Sequence, residues 1–156
     1  DVYFVPAFSG LFSPHWDETA RGSLFGLTRF SNKSHMARAV LESVAFQTYE
    51  LLESMEKDLD TDFESLKVDG GMVANNLLMQ FQSDILDKSI HSQEINEITA
   101  LGVGVASYLY VMDLPLSSMG NYITSSKTWN PNMSNETRIN SLESWYKAIE
   151  KAKNWL

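Results

Sequence analysis

The segment whose residue types and spacing best suit it to bind a ligand is residues 67–76, with Gly70 and Gly71 at its centre. Residues 66–68 before them predict a short strand, and residues 75–86 repeat apolar side chains at helical spacing. Two glycines let the backbone turn sharply and approach a ligand without an intervening Cβ. The helix that follows would point unpaired N–H groups and its positive dipole end at the same place. The pattern predicts a site for an anionic or nucleotide ligand, although a purely structural strand-to-helix turn has the same appearance.

A second group of polar residues, His15, Asp17, Glu18 and Arg21, lies in a segment rich in glycine, proline and aromatic residues. Their spacing matches no metal-ligand pattern, so we expect no metal-binding residue. We expect Asp17 to pair with Arg21 and hold the loop in shape, and His35 to serve at the start of a helix. The sequence contains neither a nucleophile elbow nor a Walker-type phosphate loop, so it offers no candidate catalytic residue.

The overall composition limits the classes of partner. The chain has 156 residues, of which 44% are hydrophobic and 21% are charged, which is typical of a globular domain. Its net charge of -8 argues against nucleic acid or an anionic membrane surface as a partner. There is no cysteine, no apolar run as long as a membrane span and no visible signal peptide, so we expect a cytoplasmic protein.

Apolar periodicity indicates the strands and helices that would position these residues. After residue 60 strands alternate with helices, which predicts parallel strands joined by right-handed crossovers and an α/β fold. We expect strands at residues 2–8, 23–28, 66–68 and 89–92, helices at 34–57, 75–86, 99–112 and 141–155, and a loop or arm at 117–140.

The same periodicity predicts which helix faces are buried. The first helix should bury one broad apolar face, formed by Met36, Val40, Val44, Leu51 and Met55 with Ala37, Leu41, Ala45 and Leu52 beside them. The third helix is almost entirely apolar, which predicts burial, and its Gly102 and Gly104 would permit close helix packing. The chain has too few strands for a complete open sheet, and it begins within a strand. We therefore expect a piece of a longer protein, with an unpaired sheet edge.

Several segments together resemble the FGGY family of carbohydrate kinases, and within it the glycerol-phosphorylating branch. The likeness covers nearly the whole chain. It rests on residues 3–11, 16–17 and 20–22, on Gly22, Leu24, Gly26, Leu27, His35, Met36, Ala39, Val40, Leu41 and Glu42, and on residues 68–76, 78–80, 82–86 and 99–102. Departures are small: the family usually has Tyr where His15 stands, and small alanines where Val103, Gly104 and Val105 stand.

The resemblance implies the C-terminal domain of a two-domain kinase with the actin-like, ribonuclease-H-like ATPase fold, lacking its first strands. Residues 1–115 would form the nucleotide-binding domain, and residues 116–156 an arm and final helix packed on it. ATP would lie in the cleft between the two domains, with Mg²⁺ bridging its phosphates and glycerol as the acceptor. Gly71, for which we expect a left-handed backbone, and Asn75 would contact the nucleotide.

In this family the catalytic Asp, the phosphate loop and the substrate contacts lie upstream of the matching segments, so the resemblance assigns none of them here. It also implies a homo-oligomeric full-length protein. Two alternatives stay open: a kinase of the same family that acts on another polyol or sugar, and a non-catalytic actin-like nucleotide-binding module. An upstream Asp base and phosphate loop would distinguish an enzyme from a binding module.

Overall fold

The structure, a computed structural model, describes residues 2–93, 97–122 and 125–156. In chain order its elements are β1 (Tyr3–Val5), β2 (Ser23–Phe25), α1 (Lys33–Leu59), β3 (Ser65–Val68), a 3₁₀ turn (Gly71–Ala74), α2 (Asn76–Leu86), β4 (Ser89–Gln93), α3 (Ile98–Val111), a second 3₁₀ segment (Leu116–Tyr122), β5 (Ser125–Trp129) and α4 (Asn135–Ala152).

The strands form two small sheets. β1 and β2 pair antiparallel over three residues. Both strands are shorter than predicted: β1 ends before Pro6, which has no N–H to extend the ladder, and β2 ends before Gly26, which has φ +82°. The second sheet has the order β3-β4-β5, with β3 and β4 parallel and β4 and β5 antiparallel. The α/β architecture and the parallel β3–α2–β4 unit confirm the predictions. Within the described residues, β3 pairs on one side only.

Helix α1 begins at Lys33, directly after the capping residue Asn32. The Asn32 side-chain oxygen accepts from the amides of Ser34, at 2.9 Å, and His35, at 3.4 Å. The His35 ring nitrogen Nδ1 in turn accepts from the Asn32 amide at 3.2 Å. This reciprocal pair satisfies N–H groups that have no partner within the helix. It confirms the expectation that His35 serves at the start of the helix, and it shows that Asn32 is the N-cap residue.

The core lies where α1, α2 and α4 meet. Phe46 of α1 stacks on Trp145 of α4, with ring centroids 4.9 Å apart and planes 8° apart. Phe81 of α2 meets the same Phe46 ring edge-on at 5.4 Å. The buried face of α1 consists of Ala39, Ser43, Ala45, Phe46, Glu50 and Leu52.

The predicted apolar face of α1 is partly wrong. Ala45 and Leu52 are buried as predicted and Val44 packs against the core, but Met36, Val40, Leu51 and Met55 are exposed. The side of the helix that carries Phe46 contacts α2 and β1. Small residues on that side let α2 approach closely while the Phe46 ring fills the space between the helices. The tertiary contact, and not the largest apolar stripe, decides which face is buried.

The predicted burial of α3 is also wrong. Of its fourteen residues only Val105 and Leu109 are buried, and the second 3₁₀ segment is its main packing partner, through Tyr108 and Tyr122. A Cβ added to Gly102 or Gly104 would meet nothing within 4 Å, so these glycines form no close helix contact in the described part of the chain.

The segment predicted as an arm contains regular structure. β5 pairs with β4, and α4 begins at Asn135, six residues before the predicted start. Ser134 caps α4 by accepting from the Thr137 amide at 3.2 Å. The β5 sequence lacks apolar alternation, so its strand conformation depends on hydrogen bonds from β4. Residues 123–124 of the predicted arm lie outside the described residues.

Candidate functional site

The double-glycine turn lies between β3 and α2. Gly70 has φ +90° and ψ 175°, and its carbonyl accepts from the Val73 amide at 3.1 Å to open the 3₁₀ turn. Glycine adopts this backbone freely and other residues rarely do. We expected the left-handed backbone at Gly71, and that expectation is wrong. Gly70 makes the turn, and Gly71 has an ordinary φ.

The surface beside Gly71 is open. A Cβ built on either glycine of the turn would meet nothing within 4 Å. In residues 2–93 and the other described ranges, the backbone amides of Gly71 and Met72 donate no hydrogen bond. Both residues are exposed, so these two unpaired amides are open to a ligand.

Asn75 closes the start of α2. Its Oδ1 accepts from the amides of Leu77 and Leu78, both at 3.1 Å, and its backbone carbonyl accepts from the Met79 amide at 3.0 Å. The expectation that the first amides of this helix are free is therefore partly wrong, because Asn75 itself occupies two of them. The Nδ2 group of Asn75 has no acceptor among the described residues, and the residue is half-buried.

Helix α2 holds Asn75 in a fixed position. Leu78, Phe81 and Ile85 are buried in the core. Asp84 Oδ1 accepts from the Asn132 amide at 2.7 Å, and Gln80 Nε2 donates to the Asn130 carbonyl at 2.8 Å. These two bonds fasten α2 to the turn between β5 and α4. The candidate site thus rests on a helix that is held by both core packing and hydrogen bonds.

The glycine-rich loop is organised differently from the prediction. Asp17 Oδ1 accepts from the Thr19 hydroxyl at 2.6 Å and from the amides of Thr19 and Ala20, and the hydroxyl contributes most to lowering the pKa of Asp17. Arg21 donates to backbone carbonyls, those of Glu18 and Ala20, and forms no ion pair with Asp17. The predicted pair is wrong, because backbone and hydroxyl donors lie closer to the carboxylate.

His15 has a partner that sequence spacing did not indicate. Its Nε2 lies 2.7 Å from Glu50 Oε1 in the middle of α1, and both side chains are largely buried. Burial raises the pKa of Glu50, and the contact with His15 opposes that rise. The partners are 35 residues apart, so only the fold brings them together. The pair fastens the loop to α1.

Comparisons with known proteins agree on one family. The family model described as "FGGY family of carbohydrate kinases, C-terminal domain" matches residues 1–108. The glycerol kinase of Clavibacter michiganensis is 48% identical over 156 residues, which is 99% of this chain and 31% of that protein. The glycerol kinase of Nocardia farcinica is 49% identical over 161 residues, with 99% and 32% covered.

Comparison with solved structures indicates the same family. Plasmodium falciparum glycerol kinase with ADP aligns with a TM-score of 0.86 and 36% identity, over 97% of this chain and 30% of that one. The ligand-bound xylulose kinase of Lactobacillus acidophilus aligns with a TM-score of 0.73 and 25% identity, over 96% and 30%.

The chain thus spans about a third of the length of the relatives it matches. None of the helices in the described ranges has the length and apolar character that crossing a membrane requires. The family match covers more than half of the chain, and the relatives align along nearly all of it. The chain belongs to the FGGY family of carbohydrate kinases and carries that family's C-terminal domain, with the actin-like, ribonuclease-H-like ATPase fold.

Proposed function

We propose that the protein carrying this chain phosphorylates glycerol with ATP and that the chain supplies the nucleotide-side domain. The γ-phosphoryl group passes from ATP to a terminal hydroxyl of glycerol, whose proton goes to a base, and the products are ADP and glycerol 3-phosphate. One observation carries the proposal. Proteins named glycerol kinase are 45–49% identical to this chain along essentially its full length.

Gly71 and Asn75 are our proposed nucleotide contacts. Support comes from the uncovered surface beside Gly71 and from the free Nδ2 of Asn75, which lie at the two ends of one short 3₁₀ turn. A nucleotide seated there would meet the Gly71 and Met72 amides at its anionic or polar atoms. The structural relative solved with ADP supports a nucleotide as the ligand class.

The chain's own residues supply binding and positioning. They include no group of three His, Asp or Glu side chains able to hold a metal ion, in the ranges that the structure describes. The expectation of Mg²⁺ therefore rests on the family resemblance alone. We assign the base, the phosphate loop and the glycerol contacts to the rest of the protein, which we propose is cytoplasmic and homo-oligomeric.

The domain division stays a proposal as well. Residues 1–115 would form the nucleotide-binding domain, and residues 116–156 an arm and helix that pack on it. Support comes from the stack of Trp145 on Phe46, which joins the two parts in one core. A kinase for another polyol or sugar is the second candidate, because a xylulose kinase shares the fold at 25% identity. The higher identity to glycerol kinases favours glycerol.

A chimera tests the proposal directly. This chain would replace the corresponding C-terminal part of the Clavibacter michiganensis glycerol kinase, which it matches at 48% identity. We expect glycerol-dependent release of ADP by the chimera, little release with xylulose, and none by the 156-residue chain alone. The parent enzyme is the positive control.

A Gly71→Val variant of the chimera should lose most of its ATP affinity, since a branched side chain would occupy the surface on which the nucleotide lies. Gly120→Val is the matched control, because Gly120 is likewise open and has an ordinary φ. A folded chimera that forms no glycerol 3-phosphate, or that uses xylulose equally well, would contradict the proposal.

A further inference from the structure

The glycine-rich loop is anchored at its two ends and touches α1 in its middle. Leu11 and Ala20 are buried, whereas every residue from 12 to 19 is at least partly exposed. In that stretch the His15 ring reaches α1, where its Nε2 lies 2.7 Å from Glu50 Oε1. One polar contact thus joins the middle of the loop to the helix.

The two partners in this contact are removed from water. The exposed fraction of the side chain is 4% for Glu50 and 11% for His15. Burial raises the pKa of Glu50, and the hydrogen bond and the positive charge of His15 oppose that rise. A buried carboxylate is costly unless an opposite charge lies beside it. The charge of His15 therefore determines how costly it is to keep Glu50 ionised in this position.

The other groups that face Glu50 cannot replace that charge. The indole N–H of Trp145 on α4 is buried and acts to lower the pKa of Glu50, but it is neutral. Glu53, one turn further along α1, adds a second negative charge. The Tyr146 hydroxyl lies 3.3 Å from Glu53 Oε2, and burial raises the pKa of Tyr146, so this group is neutral too. Of these groups, only His15 can carry a positive charge.

We propose that the pair of His15 with Glu50 is a pH-sensitive latch, which holds residues 12–16 on α1 while the imidazole is protonated and releases them when it loses its proton. The proposal concerns movement of the loop and does not depend on the nucleotide site. The histidine side chain ordinarily changes its charge between about pH 5 and 8, so the latch operates near neutrality.

Release follows from the burial of the carboxylate. A neutral imidazole can still donate a hydrogen bond, but it no longer offsets the negative charge of Glu50. The carboxylate must then take up a proton, which is scarce above neutral pH, or reach water. A cavity of about 140 Å³ between the loop and α1 is lined by both His15 and Glu50, and it gives water a place beside the carboxylate once the loop lifts.

The movement is local. Leu11 and Ala20 stay buried at the ends of the loop, so the core beneath it stays packed. The loop carries Phe12 and Trp16, whose exposed fractions are 69% and 74%. The latch therefore controls the position of an exposed aromatic surface and leaves the fold intact.

Amide hydrogen exchange of the full chain, followed from about pH 5.5 to about pH 8, measures the latch. The amides of Trp16 and Asp17 report on the loop, because they donate to the carbonyls of Phe12 and Leu11, each at 3.0 Å. Protection factors are compared, since they remove the pH dependence of the intrinsic exchange rate. The amide of the buried residue Phe46 reports on global opening.

Three variants isolate the charge of the imidazole. His15→Gln keeps a hydrogen-bond donor near the position of Nε2 and carries no charge at any pH. Glu50→Gln removes the buried carboxylate. His91→Gln is the matched control, because it removes a histidine of β4 whose ring contacts the Thr128 hydroxyl and not a carboxylate.

We expect protection of the two loop amides to fall about tenfold as pH rises through this range in the unmodified chain and in His91→Gln, with Phe46 unchanged. Protection should not vary with pH in His15→Gln and Glu50→Gln. Constant protection in the unmodified chain, an equal fall in His15→Gln, or an equal fall at Phe46 would each overturn the latch. The ring resonances of His15 are followed in the same unmodified sample. A loop transition whose midpoint differs from that of the ring overturns the latch even if a glutamine variant does not fold.

Discussion

The Phe46–Trp145 core and helix α3 are both rich in apolar residues, yet only the first is covered. Phe46 and Trp145 are 1% and 0% exposed, whereas Tyr110 and Val111 of α3 are 87% and 77% exposed. In the core, three helices supply complementary faces. In the described part of the chain, the main neighbour of helix α3 is the short second 3₁₀ segment. Apolar composition therefore shows that a surface is suited to burial, and the neighbouring elements decide whether it is buried.

The largest effect expected from this difference is on stability. Trp145→Ala should lower the free energy of unfolding by about 3–5 kcal/mol, because it removes a fully buried ring that stacks on Phe46. Tyr110→Ala, also an aromatic truncation on a helix, should change it by about 0.5 kcal/mol or less. Urea unfolding followed by circular dichroism measures both. Equal losses in the two variants would show that α3 is packed as firmly as the core.

The same contrast explains what the sequence could and could not predict about the fold. The start of α1 was predicted to within one residue, because the Asn32 cap acts through bonds within three residues. The start of α4 was missed by six residues. β5 was missed, because its ladder partner β4 is more than thirty residues away. The buried face of α1 was assigned only partly correctly for a related reason. The choice between its two apolar sides depends on α2 and β1, which periodicity within α1 does not describe.

The candidate site, like the fold, has some features that the sequence predicted and others that only the structure shows. Residue types indicated the double-glycine turn, and the family resemblance implied Gly71 and Asn75 as nucleotide contacts, which stay a prediction. Geometry was needed to show that Gly70 carries the strained backbone and that the Asn75 oxygen is occupied by α2. Glu50 could not be found as the partner of His15, since nothing local connects a loop with the middle of a distant helix.

Substitution of the two glycines of the turn should change the stability of the chain by different amounts. Gly70→Ala should lower the free energy of unfolding by about 1–3 kcal/mol, because its φ of +90° with ψ of 175° is a conformation that glycine alone adopts readily. Gly71→Ala should leave stability nearly unchanged, since its φ is ordinary and a Cβ there meets nothing. Thermal and urea unfolding of the two variants test this. A larger loss of stability for Gly71→Ala than for Gly70→Ala would contradict the assignment of the unusual backbone conformation to Gly70.

A smaller effect on stability is expected at Glu56, whose side chain binds the loop that precedes β3. Glu56 Oε1 accepts from Lys88 Nζ at 2.9 Å and from the Phe63 amide at 2.8 Å, and the bond from Lys88 contributes most to lowering the pKa of Glu56. Glu56→Gln should lower the free energy of unfolding by about 1 kcal/mol at pH 7.

The pH dependence of that loss follows from the direction of the pKa shift. A lowered pKa in the folded state means that the ionised carboxylate stabilises the fold above its unfolded value of 4.5, and that this contribution disappears as pH falls through the folded pKa. The difference between Glu56→Gln and the unmodified chain should therefore start to shrink as pH falls below 4.5 and vanish below the folded pKa. Glu64→Gln, at an exposed position, is the control at pH 7. A difference that stays constant or grows in acid would contradict the assignment.

The last prediction concerns self-association of the chain, which a surface substitution should reduce with almost no change in stability. The isolated chain exposes the apolar side of α3 and the free edge of β3, surfaces that are usually covered or associate. We expect it to self-associate and to bind an apolar dye. Val111→Glu should reduce both while changing the free energy of unfolding by about 0.5 kcal/mol or less. Val105→Glu, at a buried position of the same helix, should instead destabilise the chain. If light scattering shows that the unmodified chain is a monomer, and that monomer binds no apolar dye, the prediction is wrong. The apolar side of α3 would then be stable in contact with water without a partner.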